Sequence, residues 1–280
     1  MERKYKDKLP KWYMDTNKKY DLILSDDLDS LASCMVLEQI NNNWNIEYFY
    51  RFDCMGKTKS ATNEAVGVDI ALCKGKTFDN HVTKLHINEI CNPESINLNS
   101  MNDIHRDNYF DKYCGSTLLT VWSLYDLPIP KSEEGKLILL SVDSSYLGFY
   151  SGYKQFQNAN KFYLCDVLGF EELYEFQKSH TKSDYQEVKN RYNLDSKIKA
   201  RQGLLSTDIE LHEVSCLIDL ELKLPDEKFT LHSKYTDNAV PLNKSTRNTT
   251  KLSNIVENPF SVALTGRDFL KYSKESRGLN

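Results

Sequence analysis

The sequence predicts an α/β protein whose mainly parallel sheet is flanked by helices and followed by a second, smaller α+β domain. In the first half of the chain, short apolar runs alternate with stretches of helical periodicity. Acidic residues directly follow several of these runs. After about residue 200 the pattern changes to short strand candidates that are separated by polar loops.

The elements of the first half follow from their periodicity. The apolar run 22–24 predicts a strand, and the helical spacing of Leu28, Leu31 and Met35 predicts a helix over 30–40. In chain order, the further predicted elements are an aromatic strand at 46–52, a strand at 66–72, a helix at 116–125 and a strand at 137–142. Pro128 and Pro130 break the chain before the last of these strands.

The second half is less regular. Residues 169–201 carry charged and aromatic side chains at helical spacing, which predicts surface helices or an interdomain connector. The remaining predicted segments are short: strands at 214–222, 229–232 and 261–265, and an exposed loop at 241–253. We therefore expect a catalytic domain at 1–180, a helical connector at 181–200 and a smaller substrate-binding domain at 201–280.

Composition limits the class of protein. The 280 residues are 40% hydrophobic and 27% charged, which is ordinary for a globular chain. A net charge of −4 argues against a generally basic surface that coats nucleic acid. The seven cysteines contain no CxxC pair, so the sequence excludes a zinc finger and predicts a reduced, cytoplasmic protein. The charged first residues and the lack of a long apolar run predict neither a signal peptide nor a membrane span.

An acidic turn follows the first predicted strand and contains Asp26, Asp27 and Asp29. It places carboxylates at the carboxyl end of a strand, where open α/β sheets build their sites. Carboxylates so close repel one another unless a cation or a helix N-terminus compensates their charge. The turn therefore has two interpretations, a metal site and a helix cap, because Asp and Ser are also preferred N-cap residues.

Two more acidic residues accompany apolar runs, Asp69 within 66–72 and Asp143 directly after 137–142. Burying an unpaired carboxylate is costly, so Asp69 must pair, take up a proton, lie at the open end of its strand or bind a cation. Taken alone, an acidic residue at a strand end is just as typical of a helix cap or a turn as of a metal site. Three acidic positions at separate strand ends predict a shared metal centre.

The segment Asp79-Asn80-His81 lies between these acids, at another predicted strand end. Oxygen ligands combined with one or two imidazoles suit Mn²⁺ or Mg²⁺ better than a thiolate-rich zinc site. A lone histidine is more often structural than a ligand, so His81 gains its interest from its acidic neighbours.

In this order the motifs resemble those of the DHH phosphoesterase superfamily, which includes RecJ-type exonucleases, oligoribonuclease-like enzymes and family II inorganic pyrophosphatases. The resemblance covers roughly residues 20–150. The matching segments are Asp27-Leu28-Asp29 for the D-x-D motif, Asp69 for the second motif, Asp79-Asn80-His81 for the signature, Gly115-Ser116-Thr117 for the element after it and Asp143 for the last acidic ligand. The chain departs from the family at Asn80, where histidine is usual, and lacks a GGGH-type motif in its second half.

The resemblance implies a phosphoesterase that hydrolyses short oligonucleotides, dinucleotides or nucleotide phosphates by a metal-activated hydroxide. It implies two Mn²⁺ or Mg²⁺ ions. The implied ligands are Asp27, Asp29, Asp69 and Asp143, with Asn80 and Asp26 as further candidates. Asp69 and His81 are the implied catalytic residues, and His81 would contact the scissile phosphate. Asp79 would orient His81 or Asn80.

Substrate contacts are expected from His81, Arg267, Asn97 and Asn99. Arg267 could grip a phosphate or form a surface salt bridge with Asp268, and the two asparagines could bind substrate or fix the turn at Asp79. The alternative function is a degenerate, non-catalytic nucleotide- or metal-binding protein on the same fold, for which Asn80 is evidence. The expected partner is a short nucleic acid or a nucleotide, and no membrane association is expected. The sequence leaves open whether the protein forms a homodimer.

Overall fold

A computed structural model describes residues 1–246 and 249–276, and its central feature is one mixed sheet of nine strands with helices around it. In chain order the strands are β1 (Tyr20–Leu24), β2 (Trp44–Tyr50), β3 (Cys54–Lys57), β4 (Glu64–Val68), β5 (Thr77–Phe78), β6 (Ser95–Ile96), β7 (Lys199–Arg201), β8 (Leu204–Ser206), β9 (Thr230–Pro241), β10 (Ser261–Gly266) and β11 (Phe269–Glu275). Strands β7 and β8 form a separate hairpin.

The α-helices of the described residues are α1 (Arg3–Lys6), α2 (Leu28–Ile40), α3 (Leu98–Met101), α4 (Thr117–Leu124), α5 (Glu133–Ser141), α6 (Lys154–Lys161), α7 (Glu171–Lys178), α8 (Lys182–Arg191) and α9 (Leu211–Ile218). Shorter 3-10 turns occur at Lys11–Met14, Tyr109–Asp111, Val142–Gly148, Lys244–Thr246 and Leu252–Asn254, and Phe162–Val167 is π-helical. Along the described chain, no helix combines the length and the apolarity that a membrane crossing needs.

The sheet has a parallel half and an antiparallel half. Its strand order is β6-β5-β4-β1-β2-β3-β9-β11-β10. Strand β1 pairs in parallel with β2 and β4, and β5 and β6 extend this half. Strands β3, β9, β11 and β10 add antiparallel pairs on the other side of β2. The predicted α/β class is confirmed, but the parallel character holds for only part of the sheet.

The sheet curls until its last strand returns to the parallel half. On β10, the backbone N–H of Val262 donates to Ala71 O at 2.9 Å, and that of Leu264 donates to Val82 O at 2.8 Å. The N–H of Cys73 donates to Phe260 O at 2.9 Å. These bonds place β10 beside the segments that follow β4 and β5.

N-cap residues mark the points at which the chain begins the helices of the parallel half. The side chain of Asp27 accepts from the N–H of Ser30 at 3.3 Å and begins α2 directly after β1. Ser116 begins α4 in the same way, accepting from Leu119 N at 3.0 Å. Both are residue types that favour the N-cap position, so the sequence signal and the structure agree.

The second half of the chain shares the core of the first. Ile198, Val214 and Phe229 are buried in the same apolar cluster as Leu22 and Val66 of the parallel strands. A neighbouring cluster joins residues after β5 to strands β10 and β11. The described residues therefore show no second, separate domain, and the expected boundaries at residues 180 and 200 stay a prediction.

Two predicted strands are wrong. The run 137–142 belongs to helix α5, which Ser132 caps and which has Glu133 and Glu134 in its first turn. The run 214–222 contains most of helix α9, where Val214 and Ile218 are buried four residues apart. A short, fully buried apolar run fits a strand and a helix equally well, and tertiary packing decides between them.

The other predicted elements occur with shifted ends. Strands β1, β2, β9 and β10 and helices α2, α4, α7 and α8 lie where the sequence predicts them. The strand expected at 66–72 ends earlier, at Val68, because Asp69 has a φ of 59° and leaves the extended conformation. The loop expected at 241–253 contains two 3-10 turns and includes residues 247 and 248, which lie outside the described residues.

Candidate metal centre

The candidate site lies at the carboxyl edge of the parallel half of the sheet. Asp27 follows β1, Asp69 follows β4 and Asp79 follows β5. Asp143 reaches the same edge by another route, since it follows helix α5 rather than the predicted strand. Both Asp69 and Asp143 have positive φ values, 59° and 48°, a conformation that Asp tolerates better than most residues.

Asp69, Asp79 and His81 form the group that can hold a metal ion. One ligand atom from each lies within 4.8 Å of the others, and the described residues contain no other such group of three or more His, Cys, Asp or Glu side chains. The ring Nδ1 of His81 lies 2.7 Å from Asp79 Oδ1. That contact fixes the orientation of the imidazole, as carboxylate partners of metal-binding histidines do.

The electrostatics of Asp69 favour a bound cation. Burial, and then the nearby charges of Asp29, Asp27 and Asp143, raise the pKa of Asp69 well above its usual value. Its one hydrogen bond in this network comes from a neutral group, the Thr117 hydroxyl, at 2.8 Å. The negative charge at Asp69 is therefore poorly compensated by the protein, and a divalent ion would compensate it.

The neighbours of His81 favour its charged form, whereas those of Asp69 favour the neutral form. Burial alone would lower the pKa of His81, but the contact with Asp79 and the charge of Asp143 raise it to about 8. Its side chain is 34% exposed, so a ligand can reach the ring.

Asp29 is held by a helix. Its two carboxylate oxygens accept from the backbone N–H groups of Leu118 at 2.7 Å and Thr117 at 2.8 Å. These are the first N–H groups of α4, which favour a negative charge. Burial, and then the charges of Asp143 and Asp27, nevertheless raise the pKa of Asp29 well above its usual value. The structure thus places Asp29 at the start of α4, and its role as a metal ligand stays a prediction.

Asn80 faces Asp143 with its amide nitrogen. That nitrogen donates to Gly115 O at 2.9 Å and to Asp143 Oδ2 at 3.0 Å. In this arrangement Asn80 compensates part of the charge on Asp143. An amide binds a hard cation through its oxygen, which takes part in neither bond, so Asn80 as a metal ligand stays a prediction.

Asn97 and Asn99 are each 1% exposed. The amide of Asn97 donates to Asp79 Oδ2 at 2.7 Å and to His81 O at 2.8 Å. The amide of Asn99 donates to Asn80 O at 2.7 Å. Of the two interpretations of this loop, the contacts favour the one in which the asparagines fix the turn that carries Asp79 and His81.

Arg267 lies beyond the end of β10, outside the metal-binding group. Its Nη2 donates to Asp107 O at 3.3 Å, and its guanidinium lies 4.9 Å from the centre of the Phe110 ring. Asp268, the expected surface partner of Arg267, pairs with the buried Arg106 at 2.8 Å. These contacts leave the predicted phosphate contact of Arg267 as a prediction.

Two lysines near the site were missed by the sequence analysis. Lys197 lies 3.0 Å from Asp26 Oδ1 and 3.1 Å from Asp27 Oδ2. The half-buried Lys112 lies with its Nζ 4.9 Å from the centre of the Tyr109 ring, and Asp143 is among the groups that raise its pKa against the effect of burial. No pattern in the sequence distinguishes either lysine from the many exposed ones.

Comparison with protein-family models, with curated proteins and with solved structures finds no match to this chain. The assignment of the site therefore depends on its own geometry. Two carboxylates and one imidazole, at a strand edge with uncompensated negative charge, fit a hard or borderline divalent cation such as Mn²⁺.

Proposed function

We propose that this protein is a divalent-metal-dependent phosphoesterase that hydrolyses short oligonucleotides, dinucleotides or nucleotide phosphates. The observation that carries the proposal is the convergence of Asp69, Asp79 and His81 at the carboxyl edge of the sheet. The order of these residues along the chain supports it through the resemblance to the DHH phosphoesterases.

The residues divide the work between holding an ion and fixing its ligands. Asp69, Asp79 and His81 would hold Mn²⁺ or Mg²⁺, and Asp79 also keeps the imidazole oriented through its contact with Nδ1 at 2.7 Å. The Thr117 hydroxyl fixes the Asp69 carboxylate. A bound divalent ion supplies Lewis-acid activation of water and of the phosphoryl group.

Lys112 is the residue that we assign to the substrate phosphate. Its positive charge acts against the raised pKa of His81, and the charge of Asp143 acts on Lys112 in turn. A fixed cation in this position stabilises the negative charge that develops on the phosphoryl oxygens during hydrolysis. It also draws an anionic substrate toward an edge that is otherwise acidic.

The proposal is tested by Mn²⁺ titration combined with a hydrolysis assay on dinucleotides, five-residue oligonucleotides and mononucleotides. The wild-type protein should bind Mn²⁺ and release inorganic phosphate or mononucleotides only when the ion is present. Asp69→Asn should lose both properties. The matched control is Asp208→Asn, which removes an exposed carboxylate paired with Lys199 and should behave like the wild type. Full activity of Asp69→Asn would contradict the assignment.

The second candidate function is a non-catalytic nucleotide- or metal-binding protein on the same fold. It is favoured by Asn80, whose amide nitrogen donates to Asp143, and by Asp29, whose oxygens are occupied by α4. Binding of Mn²⁺ or of a nucleotide without turnover of any substrate in the series would select this candidate. Absence of both kinds of binding would contradict both candidates.

A further inference from the structure

The acidic turn already contains a cation. The ammonium of Lys197 bridges Asp26 and Asp27, at 3.0 Å and 3.1 Å from their nearest carboxylate oxygens. The main chain fixes the same contact, because the N–H of Ile198 donates to Asp26 O at 2.8 Å. Ile198 itself is 2% exposed and anchors this segment in the main core.

A second lysine, Lys189, binds the preceding part of this segment to the residue that follows Asp143. Lys189 donates to Ser144 Oγ at 2.8 Å and pairs with Asp195 at 2.9 Å. Ser144 directly follows Asp143. The segment from Lys189 to Ile198 is thus attached at both ends of the acidic edge, which keeps Lys197 in register with the turn.

The protein compensates its acidic groups unequally. Asp26 and Asp27 receive the positive charge of Lys197. Asp29 receives the N-terminus of α4, and Asp143 receives the amide of Asn80. Asp69 receives a neutral hydroxyl. The two carboxylates of the turn are therefore paired with a full positive charge, whereas Asp69 has only a neutral donor.

We propose that Lys197 takes the place of a second metal ion, so that the site binds one divalent ion at Asp69 and His81 and keeps an ammonium at Asp26 and Asp27. Lys197 is then a positioning residue that acts by neutralising and orienting the two carboxylates of the turn. This inference rests on the proposed function and deepens it, because it defines how many ions the reaction uses.

An ammonium group can take the place of a metal ion between two carboxylates. An ammonium has three donors and can bond both carboxylates at once. A divalent ion that enters the turn must first displace Lys197. The displacement breaks two charge-assisted hydrogen bonds, and the ion must also lose part of its hydration shell. The side chain of Lys197 is 51% exposed, so it can be displaced at high metal concentration, but only with a weakened apparent affinity for the second ion.

The test counts the bound Mn²⁺ ions by titration calorimetry and by electron paramagnetic resonance. The proteins are the wild type, Lys197→Met and the control Lys199→Met, whose lysine pairs with Asp208 at 3.5 Å instead. Methionine keeps the apolar stem and removes the charge, and circular dichroism confirms the fold of each variant. We expect one tightly bound ion in the wild type and in Lys199→Met. Lys197→Met should bind a second ion at least about tenfold more tightly than any weak second site in the wild type.

Each result has a defined meaning. Two tight ions in the wild type would overturn the inference and leave the proposed function standing. A single ion in a folded Lys197→Met would also overturn it. If Lys197→Met does not fold, Lys197→Gln replaces it, and the count in the wild type still decides alone. No bound Mn²⁺ in the wild type would overturn the proposed function together with the inference.

Discussion

Asp29 and Asp69 belong to the same acidic group, but they depend on different partners. Asp29 accepts two backbone hydrogen bonds at the start of α4, whereas Asp69 accepts one bond from a hydroxyl and is repelled by the charges of four other carboxylates. Burial and neighbouring carboxylates raise the pKa of both residues, but removal of Asp29 also leaves two helix N–H groups without their acceptor. Neutralising these two residues should therefore change stability in opposite directions.

Asp69→Asn should make the metal-free protein more stable by about 1–3 kcal/mol near neutral pH, since it removes a buried and repelled charge. The pKa of Asp69 is raised above its usual 3.8 in the folded state. The unfolded chain therefore loses this proton at a lower pH than the folded protein does. It follows that the wild type loses stability relative to the variant as the pH rises above about 4, and that the two converge below it. Urea unfolding in EDTA across this pH range measures the difference, and a less stable variant near pH 7 would contradict the prediction.

Asp29→Ala should destabilise the protein by about 3 kcal/mol, because two buried N–H groups at the start of α4 lose a charged acceptor. The measurement is the midpoint of urea unfolding, with Asp208→Ala as the control because Asp208 is an exposed residue with a salt bridge to Lys199. A change as small as that of the control would show that α4 does not depend on Asp29.

At the scale of single elements, strand β4 is tightly covered by the segment that follows it. A Cβ on Gly67 would lie 2.8 Å from Leu72 Cδ1 and 2.8 Å from Thr77 Oγ1. Thr77 Oγ1 in turn donates to Ile70 O at 2.6 Å, which ties β5 to the turn that carries Asp69. The position of Asp69 thus depends on a close approach that only glycine permits.

Gly67→Ala should destabilise the fold by about 2 kcal/mol and weaken Mn²⁺ binding, because the overpacked segment must move away from β4. Gly152→Ala is the matched control, since a Cβ there has no neighbour within 4 Å. Thermal unfolding with and without Mn²⁺ measures both effects. Equal behaviour of the two variants would contradict the role assigned to Gly67.

The predictability of the elements depended on whether their signals were local. Helix α2 could be predicted because its cap and its periodicity lie within thirteen consecutive residues. Helix α5 was mistaken for a strand although Ser132, Glu133 and Glu134 form a helix start, because its apolar run matches both structures. For the site, Asp69 and His81 were predictable as polar groups at strand ends. Lys197 was not, since its contact with Asp27 spans 170 residues.

At the scale of the whole molecule, strand β9 joins the two halves of the chain. It pairs with β3 of the first half and with β11 near the end, so one sheet runs through both. The sequence change near residue 200 predicts a domain boundary, which stays a prediction. In the described residues, the segment after it adds strands and helix α9 to the core that the first half of the chain begins.

A fragment of residues 1–200 should not fold on its own, because Val214, Ile218 and Phe229 complete the main core. The full chain should unfold in one cooperative transition, in which fluorescence and circular dichroism give the same midpoint. Two separate transitions, or a fragment with a cooperative transition of its own, would support the two-domain organisation that the sequence suggested.

The return of β10 to the parallel half also has a consequence for behaviour in concentrated solution. An unpaired edge strand is a template on which another chain can add a strand and begin to aggregate. Here the long strands β9 and β11 lie inside the sheet. The edge strand β10 forms backbone hydrogen bonds with Ala71 and Val82. The strand at the opposite edge, β6, has only two residues. The folded protein thus offers little edge on which another chain can add a strand. Aggregation would have to begin from chains in which β10 has detached from the parallel half.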